Sequence, residues 1–374
     1  MKEENQTKKI CFFSGDITRS GGTERVASMI ANELVELEGF QIVFLSIVEQ
    51  QEEMFFPLSD RISRYVLDER KTWIAPGPGY LPLIPRLRKF LKEQEISCIV
   101  DIDTILDILT VPAKRGLPVT LIAWEHFNYG YQWPSERYRK FRKKICGYTA
   151  RHADEIVTLT ERDMENYKKC LGRKDRIQTI YNPVKRKQPD TKNVSNREKM
   201  LITVGRLTQI KGIDYLCKIA PDILKKYPDW SWYVLGAGED RLLLEDTIRK
   251  EQLQDQLILT GNVPDVEGYL QRASIYVMTS RSEGLPMCLL EAMEQGVGCV
   301  SFDIPTGPAE IIMEGKNGYL ITPFDLEQMK EKISILIENE ELRKHFSEQT
   351  SETVQRFDMN VILQKWTKLL KRCC

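Results

Sequence analysis

Short apolar runs recur along the chain, each followed by a polar break and then by residues at helical spacing. Residues 9–13, 40–46, 98–102, 119–124, 155–159 and 177–181 form one series of such runs. A second series follows at 200–204, 231–235, 257–263, 273–278, 298–302 and 317–321. Short apolar runs between turn residues read as buried strands, and apolar positions three and four apart as helices. Strands alternating with helices predict an α/β protein. Between the two series, residues 185–199 are polar, aperiodic and carry Pro189, which marks a linker. Domains at 1–184 and 200–356 result, as the length of 374 residues also favours. Residues 49–85 are less regular, and Pro76-Gly77-Pro78-Gly79 excludes regular structure there. Helical patterns close the chain at 326–337, 340–355 and 359–371.

Composition narrows the class. Lys+Arg and Asp+Glu both total 54, a balance that argues against a nucleic-acid partner. The nine cysteines are scattered without a C-x-x-C pair or a metal-ligand spacing. Cys11, Cys98, Cys217 and Cys299 sit in apolar runs as small core residues, so a reducing cytoplasm is expected. No stretch approaches the roughly 20 apolar residues of a membrane span. The charged start of the chain does not read as a signal peptide, and Cys373-Cys374 is not a C-a-a-X box.

The candidate chemistry gathers on loops that follow strands. After the run at 273–278 come Arg281-Ser282-Glu283-Gly284-Leu285-Pro286-Met287 and then a helical pattern through Leu289, Leu290 and Met293. Proline suits a first helical turn, so Glu283 falls on the loop and Glu291 inside the helix, eight positions later. Free N–H groups at such a helix start seat anionic oxygen. Two carboxylates flanking that seat suit a nucleotide-sugar, with phosphates in the middle and hydroxyl-rich ends. The plainer alternative is a solvated helix end. On an earlier loop, Gly205-Arg206 and Lys211-Gly212 place two cations five positions apart, which fits a leaving nucleoside diphosphate.

In the first half, Gly21-Gly22 opens a helix after the first strand, the general form of a phosphate-approach loop. Glu125-His126 lies at the C-terminal edge of a strand, where open α/β sheets bind ligands. His152 and His345 fall in helical patterns and read as structural. Gly236-x-Gly238 lacks the third glycine of a dinucleotide fingerprint. Residues 137–144 are the most basic run, with Trp133, Tyr138 and Phe141 interleaved. They read either as a solvated helix face or as a patch, made of Arg137, Arg139, Lys140, Arg142, Lys143 and Lys144, that meets anionic lipid.

Ser282-Glu283-Gly284-Leu285-Pro286, the Glu283/Glu291 pair, Gly205-Arg206 with Lys211-Gly212, and residues 301–312 together resemble the retaining glycosyltransferases of family 4. The resemblance covers nearly the whole chain and is strongest from 201 to 321. It implies a GT-B fold: two facing Rossmann-like α/β domains with parallel sheets, and a last helix (357–374) that crosses back to the first domain on Trp366, Leu369 and Leu370. It implies transfer, with retention, of a hexose or N-acetylhexosamine from a nucleotide-sugar, UDP-linked above all, to a hydroxyl of a glycan or lipid-linked acceptor in surface polysaccharide synthesis. Arg206 and Lys211 would stabilise the leaving diphosphate, and Glu291 would hold the ribose. Glu283 would contact the sugar, with backbone from Gly284 to Met287; since Pro286 cannot donate, Leu285 and Met287 are the expected donors. Backbone near Val263 would meet the base, Gly21 and Gly22 the phosphates or acceptor, and His126 the donor sugar or acceptor hydroxyl. Asp101-Ile102-Asp103 is the sole Asp-x-Asp match, so metal-independent transfer without a cofactor is expected. The location implied is cytoplasmic, on the inner face of the membrane where the basic run meets lipid. The rivals are an epimerase or phosphorylase on the same fold, and a non-catalytic partner subunit that binds nucleotide-sugar.

Overall fold

The computed structural model describes residues 7–72, 78–131, 135–184 and 197–373. Pro76, Gly77, Trp133 and residues 185–196 of the expected linker lie outside them. The chain divides into two compact units: Met1–Tyr129 with Ser135–Pro183 and Asn360–Cys374, and Gly130–Pro134 with Val184–Met359. Residues 197–199, assigned to the linker for their polarity, are bonded into the second unit. Arg197 Nη1 donates to Ala273 O at 2.8 Å, and Glu198 N–H to Arg272 O at 3.0 Å.

The first unit is built on seven parallel strands: β1 (Lys8–Ser14), β2 (Phe40–Ser46), β3 (Ser63–Val66), β4 (Cys98–Ile102), β5 (Thr120–Glu125), β6 (Glu155–Thr158) and β7 (Ile177–Thr179). They lie in the order β3-β2-β1-β4-β5-β6-β7. Helices cover both faces, so central strands such as β1 and β4 bury both sets of side chains and read as unbroken apolar runs. The helix Met359–Cys373 belongs to this unit from Asn360 on. Ile362, Trp366, Leu369 and Leu370 make one apolar stripe. The Trp366 ring packs edge-on to Trp124 at 4.8 Å and against Phe12 at 6.4 Å. Arg372 fixes the far end by an ion pair to Glu155 at 2.7 Å.

The second unit has six parallel strands: β8 (Met200–Val204), β9 (Ser231–Leu235), β10 (Leu257–Gly261), β11 (Ile275–Met278), β12 (Gly298–Phe302) and β13 (Gly318–Ile321). Their order is β10-β9-β8-β11-β12-β13. Leu201, Trp232, Ile275, Val300, Phe302 and Phe346 are among the residues of its core. The winding reverses between β8 and β11, which pair in register Ile275↔Leu201. Such a reversal opens a crevice beyond the carboxyl ends of the two strands. Among the described residues, no helix is long and apolar enough to cross a membrane.

Candidate active site

The crevice of the second unit is walled by the segments that leave β8 and β11. Beyond β8, the Gly205–Leu207 loop lies along the exit of β9: Gly205 N–H donates to Leu235 O and Leu207 N–H to Ala237 O, both at 2.9 Å. The approach is so close that a Cβ on Gly236, at φ 134°, would stand 1.9 Å from Gly205 O. A Cβ on Gly238 would likewise stand 2.2 Å from Leu207 O, so close backbone packing explains the Gly236-x-Gly238 pair without any dinucleotide. The chain then makes a single 3₁₀ turn, Gln209–Lys211, and passes through Gly212 at φ 68° into the helix Ile213–Lys226. A Cβ on Gly212 would meet Thr279 O at 2.0 Å, so the turn is pressed against the segment that follows β11.

These contacts set Arg206 and Lys211 on one pocket with Glu283, Pro286, Met287 and Cys288, together with Thr203, Gly205, Tyr276 and Thr279. Lys211 Nζ donates to Glu283 Oε1 at 2.6 Å, its one side-chain hydrogen bond among the described residues. An ammonium has three protons to give. Burial works against its charge, but the Glu283 carboxylate outweighs that and raises its pKa. Arg206 is exposed and makes no side-chain hydrogen bond or ion pair among the described residues. Glu283 is itself buried, and Thr306 Oγ1 donates to its backbone oxygen at 2.6 Å.

The helix after Glu283 runs Met287–Glu294, one residue later than its proline suggests, with Pro286 as the flanking cap residue at ψ 101°. Pro286 O accepts the N–H groups of Leu289 and Leu290, each at 3.2 Å. Met287, at the first helical position, lines the pocket, and its N–H has no acceptor within the helix. Gly284 and Leu285 are buried beside it. Glu291 is half-buried one turn along the helix and does not line this pocket. Val263 stands two residues beyond β10, which ends at Gly261 rather than continuing through Val263.

The remaining candidates lie in the first unit. His126 follows β5, buried against Trp124 with ring centres 4.2 Å apart. Burial pushes its pKa down to about 3, so the ring is neutral, and its buried Nε2 has no hydrogen-bond partner among the described residues. Gly21 is the cap residue and Gly22 the first residue of the helix Gly22–Leu34. A Cβ on Gly21 would stand 2.1 Å from Glu24 Oε2, so the chain's own carboxylate already occupies that helix start. Gly22 faces open space.

The basic run forms the first part of the helix Glu136–His152, and one of its members is misassigned to the surface. Arg142 is buried, with Nη1 on Asp103 Oδ1 at 2.6 Å and Nη2 on Glu125 Oε1 at 3.3 Å. A guanidinium used up by two carboxylates has nothing left for a lipid headgroup. Arg137, Lys140, Lys143 and Lys144 are exposed and Arg139 half-buried. The Asp-x-Asp pair is likewise internal: Thr110 Oγ1 donates to Asp101 Oδ1 at 3.0 Å, and Asp103 holds Arg142. Arg281 and Thr306 fall in the stretches that carry the resemblance, but the sequence assigns neither them nor Thr279 a role. Their contacts span more than 20 positions, and only the run Thr279-Ser280-Arg281 beside Glu283 hints at them.

Two family profiles match the chain. One described as "Glycosyltransferase Family 4" covers residues 20–188, and one described as "Glycosyl transferases group 1" covers 184–353. An uncharacterized glycosyltransferase of Haemophilus influenzae is 29% identical over 97% of this chain and 100% of its own length. The amylovoran biosynthesis glycosyltransferase AmsD of Erwinia amylovora is 24% identical over 97% of this chain and 99% of its own. Among solved structures, the pneumococcal O-GlcNAc transferase GtfA in complex with UDP and GlcNAc superposes with a TM-score of 0.77. It is 17% identical, with 98% of this chain and 99% of that one covered.

Proposed function

We propose that this chain, which belongs to the family 4 glycosyltransferases of the GT-B fold, moves a hexose or N-acetylhexosamine from a UDP-linked sugar to a hydroxyl of a glycan or lipid-linked acceptor in surface polysaccharide synthesis. One observation carries the proposal. A guanidinium and an ammonium line a single pocket at the winding reversal of the second sheet, beside a helix start, and the ammonium is 2.6 Å from a buried glutamate. The UDP in the pneumococcal neighbour supports the choice of donor, and the Erwinia relative supports the kind of product.

In this reaction the bond from the anomeric carbon to the diphosphate oxygen breaks while the acceptor oxygen bonds to the same face. Configuration is therefore retained. The acceptor's proton passes to the departing phosphate oxygen. Arg206, Lys211 and Met287 N–H stabilise the charge that builds there, and with two cations in place no divalent ion is required. Glu283 orients the sugar hydroxyls with backbone from Gly284 to Met287, and Glu291 takes the ribose hydroxyls. Backbone at Val263 meets the base. Neutral His126 offers Nε2 to the acceptor hydroxyl or donor sugar, and the open space at Gly22 leaves room for the donor phosphates or the acceptor. Arg137, Arg139, Lys140, Lys143 and Lys144 hold the protein to anionic lipid, each adding about 1 kcal/mol.

The test is a panel of nucleotide-sugars, read by thermal shift and by UDP release with and without glycan acceptors. A UDP-sugar that raises the melting temperature and is consumed only with acceptor is the expected result. Consumption without acceptor would make the protein an epimerase. Binding without turnover on any acceptor would make it a non-catalytic subunit, and no shift with any UDP-sugar overturns the proposal. Flotation on vesicles with and without anionic lipid tests the membrane contact, and equal recovery removes it.

A further inference from the structure

Arg281 does not line the pocket, yet it is bonded to the turn that carries Lys211 and to the helix that follows it. The turn Gln209–Lys211 offers three carbonyl oxygens, and all three accept from the short stretch that follows β11. Arg281 Nη1 donates to Gln209 O at 2.6 Å, Arg281 N–H to Ile210 O at 2.7 Å, and Thr279 Oγ1 to Lys211 O at 3.0 Å. The guanidinium is itself held in place. It donates to both oxygens of Asp214 at 2.7 and 2.8 Å, and its central carbon lies 4.0 Å from the middle of the Tyr215 ring. Asp214 and Tyr215 open the helix that leaves the turn. One planar side chain thus grips the Lys211 turn and the following helix together, from a backbone two residues before Glu283.

A single 3₁₀ turn has little of its own to keep it in shape. Lys211 carries its charge on a flexible stem, so the reach of the ammonium depends on where the turn sets its Cα. We propose that Arg281, braced by Asp214, is a positioning residue that presets the Lys211 turn for an anionic diphosphate without touching it. The inference rests on Lys211 being a diphosphate-binding group. A lysine has three donors but no planar fork to meet both Asp214 oxygens side by side while reaching Gln209 O, so Arg281→Lys keeps the charge and loses the bidentate grip. Misplacing a binding group by about 1 Å is enough to cost on the order of 100-fold in rate.

Calorimetric binding of UDP to the full chain tests this with Arg281→Lys, Lys211→Ala and the double variant, each checked for an intact melting transition. Arg281→Lys should weaken UDP at least ~10-fold, and Lys211→Ala at least as much. The double variant should bind no more weakly than Lys211→Ala alone, because groups acting through one another are not additive. Losses that multiply in the double variant, or normal UDP binding by Arg281→Lys, overturn the inference while leaving the pocket assignment intact. Normal UDP binding by Lys211→Ala overturns the pocket assignment itself. Should Arg281→Lys fail to fold, Asp214→Asn, which unpins the guanidinium without removing it, carries the same expectations.

Discussion

The ion pairs Arg142–Asp103 in the first unit and Lys211–Glu283 in the second both close at 2.6 Å. Distance does not separate them; what each cation has left to give does. Arg142 also donates to Thr104 Oγ1 and Glu125, stacks on the Phe127 ring at 5.5 Å, and is sealed from water. Glu125 in turn accepts from Tyr167 Oη at 2.9 Å and Thr104 Oγ1 at 3.0 Å. That network is closed, and a closed network specifies a core. Lys211 stands on a pocket wall with one side-chain bond and is more than a quarter exposed. Unused donors at an open wall are what a ligand reads.

Removing each cation should therefore fail in a different way. Arg142→Ala strands the buried Glu125 carboxylate and unpairs the half-buried Asp103, and should destabilise the protein by roughly 3–5 kcal/mol. On the order of 10 °C in melting temperature would follow for a unit of this size; an unchanged transition would mean the cluster is not holding the first unit together. Lys211→Ala should lower transfer at least ~100-fold while the melting temperature moves little. A folded variant with near-normal turnover would make this pair structural too.

A pH titration sharpens the contrast, because burial in the first unit raises two carboxyls and depresses a histidine. Burial pushes Asp101 up to about 7, and Asp107 rises with it for the same reason and through the Asp101 charge. Each keeps one oxygen without a partner among the described residues, and the two side chains face one another closely enough to hydrogen-bond when one is protonated. A carboxyl whose folded pKa lies above its unfolded value of about 3.9 contributes stability that is full below that value. It is lost as pH rises through about 7. His126 acts in the opposite sense, with a folded pKa of about 3. Its contribution is full above about 6.5 and fades as pH falls. Asp101→Asn should flatten the alkaline fall in melting temperature between pH 6 and 8; an unchanged slope would place the proton elsewhere. The smallest effect belongs to Lys140→Ala. Its exposed pair with Glu136 should be worth less than about 0.5 kcal/mol, so a shift of several degrees would show it does more than sit in water.

Much of this frame was legible because parallel strands buried on both faces leave unbroken apolar runs, as at Ile10–Phe13 or Cys98–Ile102. The edge strand Ser63–Val66 left none, since half of it is exposed. Arg206, Lys211 and Glu283 were legible as charges on strand-to-helix loops. Arg142 was hidden by its neighbours: a cationic run looks solvated, although the residue shares a helix face with Ile145, Cys146 and Thr149, all buried. Helical spacing carried that signal, and composition masked it. Arg281 offered only its place beside Glu283 as a cue, because the acceptors of its guanidinium lie 67 and 72 positions away.

The helix that brings Trp366 between Phe12 and Trp124 has a temporal consequence. A ribosome delivers those two aromatic rings early and the indole that covers them only after the entire second unit has emerged. The nascent N-terminal portion therefore waits, incomplete, while the other portion already holds every strand of its own sheet. Anyone wishing to produce the first unit by itself would have to splice residues 360–373 onto it.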